Sequence, residues 1–392
     1  MKKKYLIEAI IFFSYLTFAM SWVGASTFMQ DIMKQVGIHS LTQASSLSTA
    51  VTIAKIVGTA IAAAIVGKIG LRRAVLLAGL LVCFGICTPL VTNFGLLIAS
   101  RFLMGLGGAL MIVYFNPIVV SWFAPSERPA VNGLNNITFN LGAVLTMFLL
   151  QPAVSVLGSW GHVLTAISFA SVLLTLLWLT FGQAGPVKAT DVAVKDEHYP
   201  FSKGLRDPFT WKLATIYSGM LSFYIVMFTF YPAAGINETH TVLLSGLGGG
   251  IAGMVVASRV RDRMRLLRIS GAFQALFACL LSFSKNPTIV FLSAIMLGIF
   301  LILPLATVFT LGQDQPGMTW ARVSVRFSIF WSVSYVIATA ATTIFAWLVD
   351  IYHGDFHAAF SFICCVEGLF FLGSLILKDG RPPGHLRLET IA

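Results

Sequence analysis

Apolar residues run through this chain of 392 residues in long blocks separated by short polar punctuation. Twelve blocks stand out, near 5–29, 43–66, 74–91, 94–122, 130–152, 160–181, 209–232, 241–258, 266–284, 287–311, 325–349 and 356–377. A bilayer core about 30 Å thick needs about 20 helical residues at 1.5 Å each, so each block predicts a membrane-spanning helix. Backbone groups in lipid must pair internally, which leaves helices or a closed barrel. The blocks are too long for barrel strands and lack their polar alternation. The expected fold class is an all-α polytopic membrane protein.

The punctuation carries the charge. Between the second and third blocks, Ile65 to Val75 reads IVGKIGLRRAV, a tight turn holding Lys68, Arg72 and Arg73. Only 10% of the chain is charged and 57% is hydrophobic, far from the composition of a soluble domain. The net charge of +11 therefore does not point to nucleic acid. Of 26 Lys and Arg, Lys34 and Lys285 fall in loops on one side, and Lys55 and Arg101 fall inside spans. The other 22 lie on the opposite side or at its boundary, which is the positive-inside pattern. It assigns both termini to the cytoplasm of a plasma membrane, such as a bacterial inner membrane. Lys2–Lys4 before an apolar run also resembles a signal peptide, but the run is long and its removal would break the charge alternation. All five cysteines lie in predicted spans, so no disulfide framework is implied.

One long polar stretch, Gly182 to Pro208, divides the chain and reads as a flexible linker. The expected organisation is a six-helix bundle over 1–181, the linker over 182–208, a second bundle over 209–378 and a tail over 379–392. A shift of 191 residues aligns Gly58 with Gly249, Lys68 with Arg259, Arg72 with Arg263, Pro125 with Pro316 and Asn135 with Arg326. The basic turn thus has a twin, Ser258 to Arg265. Two halves of like topology predict a site between them near the membrane midplane.

These features resemble the major facilitator superfamily, over nearly the whole chain. The family's hinge motif is similar to G-x-x-x-D-[RK]-x-G-[RK]-[RK]. Lys68, Gly70, Arg72 and Arg73 fit it, whereas Gly67 stands where the family usually has Asp. Arg101 to Gly108 is similar to the family's R-x-x-x-G motif in span 4. The antiporter motif G-P-x-x-G is absent from span 5, which reads Asn140-Leu141-Gly142-Ala143. The resemblance implies two pseudo-symmetric six-helix bundles working by alternating access. It also implies that Lys68, Arg72, Arg73, Arg259 and Arg263 belong to the cytoplasmic gate.

Candidate chemistry sits where charge enters the spans. Lys55 lies halfway through span 2, where a lysine costs about 2.5–3.5 kcal/mol. It reads as an anchor for an anionic substrate, or as a lysine paired with a carboxylate or snorkelling to the surface. Its repeat twin is Gly246, so it is not a shared packing residue. Arg101, in span 4, reads as a second substrate-facing or proton-coupling cation, or as a fixed strut. Acids in the membrane are scarce: Glu8 and Asp31 are the proton-coupling candidates, and Glu367 in span 12 is expected to be a packing residue. Asn132, Asn136 and Asn140, at i, i+4 and i+8, form an amide stripe on span 5. Tyr224, Trp331 and Tyr335 fall on spans that line the cavity in the family.

The expected function is secondary active transport, most simply proton-coupled transport of a small organic anion. The rivals are a proton-driven exporter of amphipathic compounds and a transporter-shaped sensor that does not turn over. Lys55, Arg101, Asn136, Asn140, Tyr224, Trp331 and Tyr335 are the expected substrate contacts. No enzyme activity, metal or cofactor is expected. The expected partners are the bilayer, the small molecule and protons, with the chain a monomer.

Overall fold

The computed structural model describes residues 3–38, 41–185, 199–260 and 262–379. Most of the linker, with Lys188, Asp191, Lys195, Asp196 and Glu197, and the tail from Arg381 lie outside the described residues. The first half contains α1 (Lys3–Thr27), α2 (Met29–Val36), α3 (Leu41–Ile69), α4 (Leu71–Val82), α5 (Phe94–Trp122), α6 (Arg128–Leu157) and α7 (Trp160–Phe181). A short α8 (Phe201–Leu205) precedes the second half. There follow α9 (Pro208–Phe230), α10 (Thr239–Arg259), α11 (Arg263–Phe283), α12 (Pro287–Ile302), α13 (Leu305–Gln313), α14 (Trp320–Ile351) and α15 (His357–Ile376).

Among the described residues, eleven segments are individually long and apolar enough to cross a membrane. The remaining predicted span, 74–91, folds as α4 running into a 3-10 helix over Cys83–Cys87. At 1.5 Å and 2.0 Å per residue the pair covers about 28 Å, so it still spans. Two other departures have local causes. The predicted span 287–311 breaks into α12 and α13 at Pro304, which has no N–H to continue the ladder. The chain beyond α1 turns into α2, which buries Ile32 and Met33 and closes on Gly37 in the left-handed conformation. Gln35 Nε2 ties this helix to the carbonyls of Thr88 and Val91 at 3.2 and 2.8 Å.

Lipid offers no hydrophobic drive between helices, so close packing and polar contacts must hold the bundle. In the first half α3 packs on α5, α1 on α6 and α7, and α4 on α5. In the second, α9 packs on α14 and α15, α10 on α12, and α11 on α12 and α15. The halves meet along two seams, α3 with α14 and α6 with α10 and α13. The glycine run of α10 lets it pack closely on α12 of its own half and on α6 across the second seam. A Cβ on Gly249 would strike the backbone at Ile299 of α12, and one on Gly250 would strike Ile137 of α6. Large apolar side chains such as Phe169, Leu173 and Leu176 face outward on α7, where lipid tails are the expected neighbour.

The basic turn after α3 needs a glycine. Gly70 adopts φ +78°, which lets α4 reverse immediately. Arg72 then donates to the Leu179 carbonyl at 3.0 Å, and the Trp178 indole donates to the Arg72 carbonyl at 3.0 Å. This turn, with Arg259 and Arg263, marks the basic side of the molecule.

Candidate functional site: an aromatic chamber above a polar seal

Lys55 sits at the middle of α3 and is 4% exposed. Four rings from three helices, α1, α6 and α14, surround its ammonium: Trp22 at 4.2 Å, Phe139 at 5.2 Å, Tyr335 at 5.2 Å and Phe18 at 5.8 Å. Such cation–π contacts contribute about 0.5–2 kcal/mol each, more where water is excluded. Among the described residues the ammonium has one hydrogen-bond acceptor, the Tyr335 phenol at 3.1 Å, and no carboxylate. An ammonium carries three donors, so two are unspent.

The chamber extends across the interface. Trp331 stacks on Tyr335 with centroids 5.6 Å apart and meets Tyr217 edge-on at 5.2 Å. The phenols of Tyr15, Tyr217, Tyr224 and Tyr335 lie within electrostatic range of one another, bringing α1, α9 and α14 to one centre. Tyr224 donates to the Asn140 Oδ1 at 2.6 Å, again across the two halves. Two buried donors here have no hydrogen-bond partner among the described residues, the Trp331 Nε1 and the Asn140 Nδ2.

On the basic side of Lys55 the halves are sealed in three layers. One turn along α3, Thr59 offers its carbonyl to the Ser328 hydroxyl and its own hydroxyl to Ser332 at 3.1 Å. Beyond it lies an amide knot. The Asn132 Nδ2 donates to Thr310 Oγ1 and Gln313 Oε1 at 2.9 Å each, and Gln313 Nε2 donates to Asn116 Oδ1 and Asn132 Oδ1 at 2.9 and 3.0 Å. Asn116 serves twice, since its Nδ2 also reaches the Val113 carbonyl that Pro117 leaves without its backbone donor. The outermost layer is ionic. Asp314 accepts Arg128 from the first half at 3.0 Å and Arg263 from the second at 2.8 Å.

A second ion pair stands beside this seal. Asp207 caps α9 and accepts Arg326 of α14 at 2.8 Å. Burial pushes the Asp207 carboxyl up, but the Thr210 hydroxyl and the Arg326 guanidinium hold it below the usual carboxylate range. Arg326 also donates to the Gly312 carbonyl at 2.7 Å. In the first half, Glu8 on α1 faces Asn135 on α6. Both are buried, and neither completes a side-chain hydrogen bond among the described residues.

The sequence candidates thus fall into different places. Lys55, Tyr335, Trp331, Tyr224 and Asn140 are brought together in the chamber. Asn136 spends its amide on the Asn132 carbonyl of its own helix at 2.7 Å. Arg101 is 1% exposed and ties α5 to α1 through the carbonyls of Ser21 and Trp22 at 3.1 and 3.3 Å. Its guanidinium thus binds the α1 backbone beside Trp22 and the Met104 sulfur at 3.7 Å. Asp31 sits half-buried in the first turn of α2, on the side away from the basic turns. Among the gate candidates, Arg263 joins the Asp314 clamp, whereas Lys68, Arg72, Arg73 and Arg259 remain exposed. Glu367 is fully buried in α15, with both carboxyl oxygens lacking hydrogen-bond partners among the described residues.

Sequence reasoning missed Asp314, Gln313 and Arg128 in the seal and Tyr15, Phe18 and Tyr217 in the chamber. A signal existed for part of the chamber. Tyr15, Phe18 and Trp22 recur at i, i+3 and i+7, one face of α1.

The Major Facilitator Superfamily model matches residues 11–339. An uncharacterised Campylobacter jejuni protein is 30% identical over 231 residues, covering 58% of this chain and 69% of that one. A putative metabolite transport protein of Bacillus subtilis is 27% identical over 157 residues, covering 39% of this chain and 33% of that one. Among solved structures, the Escherichia coli fucose:proton symporter FucP superposes with a TM-score of 0.73 at 13% identity, covering 96% of this chain and all of that one. The human organic anion transporter MFSD10 gives 0.71 at 12% identity, covering 96% and 99%. The proton:xylose symporter XylE gives 0.70 at 14%, covering 95% and 94%. With the fold, the duplicated basic turns and a polar site between the halves in place, this chain belongs to the major facilitator superfamily, a family of membrane transporters.

Proposed function

We propose that this protein is a proton-coupled secondary transporter of a small organic anion, working by alternating access with Lys55 as the anchor. One observation carries the reading: among the described residues, a buried ammonium at the interface of the halves has a neutral phenol as its hydrogen-bond partner and no carboxylate. An intramembrane cation is costly unless paired, and a substrate carboxylate would pair it. The unspent Trp331 and Asn140 donors add to this, since the chamber offers donors where an anion supplies acceptors. Among the structural neighbours, one is an organic anion transporter and two are proton symporters.

Coupling follows from electrostatics. Moving one anion into a cell opposes the membrane potential by about 2.3 kcal/mol per 100 mV, and a proton carried with it cancels that term. Glu8, set against the neutral Asn135, is the proposed carrier. The basic side, taken as cytoplasmic in a plasma membrane, is the sealed side here, so the cycle would next release the Asp314 clamp and the amide knot.

The test is uptake of labelled organic anions into proteoliposomes under an inward proton gradient. Lys55→Gln should lower uptake at least tenfold while the protein still folds and inserts. The aromatic walls also suit an exporter of amphipathic compounds. Full retention of neutral or cationic transport in Lys55→Gln, with no anion flux in the unsubstituted protein, would replace the anion reading by that one.

A further inference from the structure

The geometry points to a planar aromatic carboxylate as the substrate class. This inference rests on the anion reading above and narrows it. The donors left without acceptors are two hydrogens of Lys55, the Trp331 indole N–H and the Asn140 amide, and a carboxylate would supply acceptors for them. What surrounds those donors fixes the rest of the molecule. Beside the ammonium stand Trp22, Phe139 and Tyr335, with Trp331 stacked behind Tyr335 at an interplanar angle of 23°.

A body attached to the carboxylate must therefore lie against ring faces and edges. Rings are electron-rich on the face and electron-poor at the edge, so another ring gains from offset stacking or edge-on contact beyond the area it buries. A saturated ring of the same size gains the burial alone. The walls argue against a sugar acid, since a polyol needs many partners and Phe18, Trp22, Phe139 and Trp331 present mostly ring carbon. Two ring contacts of ordinary strength correspond to about a tenfold preference for the aromatic over the saturated analogue.

The experiment uses the full-length purified protein and thermal unfolding, since a ligand bound to the folded state raises its apparent stability. Two matched pairs of equal charge serve as probes: benzoate with cyclohexanecarboxylate, and 2-naphthoate with decahydro-2-naphthoate. The expected result is an apparent Kd about tenfold lower for the aromatic member of at least one pair. Trp331→Leu should abolish that preference. Trp331→Phe, which keeps a ring and loses the N–H, should keep the preference and weaken both members several-fold. Equal binding within both pairs overturns the aromatic inference and leaves anion recognition standing. Binding of acetate or succinate, with neither pair bound, also overturns the aromatic inference alone. No stabilisation by any carboxylate, short or ringed, overturns both.

Discussion

Lys55 on α3 donates to the phenol of Tyr335 on α14 at 3.1 Å, so the buried cation of one half is held by a neutral group of the other. That relationship makes the ammonium a strut across the interface with two of its three hydrogens unspent, which is where the proposed anion would bind. A hydrogen bond to a charged group is worth about 1.5–3 kcal/mol, and losing it leaves a buried donor unpaired.

Tyr335→Phe should therefore separate the two roles. The ligand-free protein should melt several degrees lower, because the cross-interface bond is gone. A bound organic anion should then restore more stability than it does in the unsubstituted protein, since all three ammonium hydrogens are free for it. Thermal unfolding with and without the anion checks both. An unchanged ligand-free midpoint would show that the phenol holds nothing.

Asp314 is the clearest candidate for a latch, because Arg128 and Arg263 reach it from opposite halves. Breaking a buried ion pair by removing one partner costs about 3–5 kcal/mol, more than the few kcal/mol that separate interconverting states. Asp314→Ala should open the basic side. Amide hydrogen exchange should rise at least tenfold around residues 128–136 and 310–318, and transport should slow. Protection unchanged in both segments would remove the latch.

The membrane architecture was legible because uninterrupted apolar length needs no tertiary information. Lys55 was legible for a related reason, since charge in lipid is rare enough to stand out alone. Its cage was legible only in part: Tyr335 was an expected contact, but Trp22, Phe139 and Tyr335 arrive from three separate helices and nothing in the chain order joins them around Lys55. The seal was hidden further. Asn132 pairs with Gln313 over 181 positions and Arg128 with Asp314 over 186, so only the packed fold joins them. Gln313 and Asp314 lie just past residue 311, where the apolar pattern of span 10 runs out. Arg263 was reachable through the repeat, which aligned it with Arg72, but the repeat gave no hint of its acid.

The Asp207–Arg326 pair should make stability depend on acid. The folded carboxyl sits below its ordinary value of 3.8, so the unfolded chain binds a proton more readily. The resulting stabilisation is present above that ordinary value and is lost as pH falls through the lower folded value. Asp207→Asn should melt lower than the unsubstituted protein at pH 7. The gap should shrink as the medium is acidified through the carboxylate range. A gap of constant size across that range would mean that the ion pair does not carry it.

The same pair supplies a test of the proposed role of Glu8 as proton carrier. Asn135 and Arg326 coincide under the 191-residue shift, so the two halves place different groups at one position. In the second half that position is a guanidinium, and the facing acid, Asp207, is held ionised. In the first half it is a neutral amide, and the facing acid, Glu8, has no cation among the described residues and no completed hydrogen bond. A buried carboxylate without a charged partner favours its protonated form, whereas a neighbouring guanidinium would favour the ionised one. Asn135→Arg should rebuild the Asp207–Arg326 arrangement in the first half and fix Glu8 as a carboxylate. Substrate exchange across the membrane should continue, but accumulation driven by a proton gradient should fall at least tenfold. Glu8→Gln, which is locked neutral, should give the same split between exchange and accumulation. Proteoliposomes assayed in parallel for counterflow and for uphill uptake measure both, and full uphill uptake in either variant would exclude Glu8 as the coupling group.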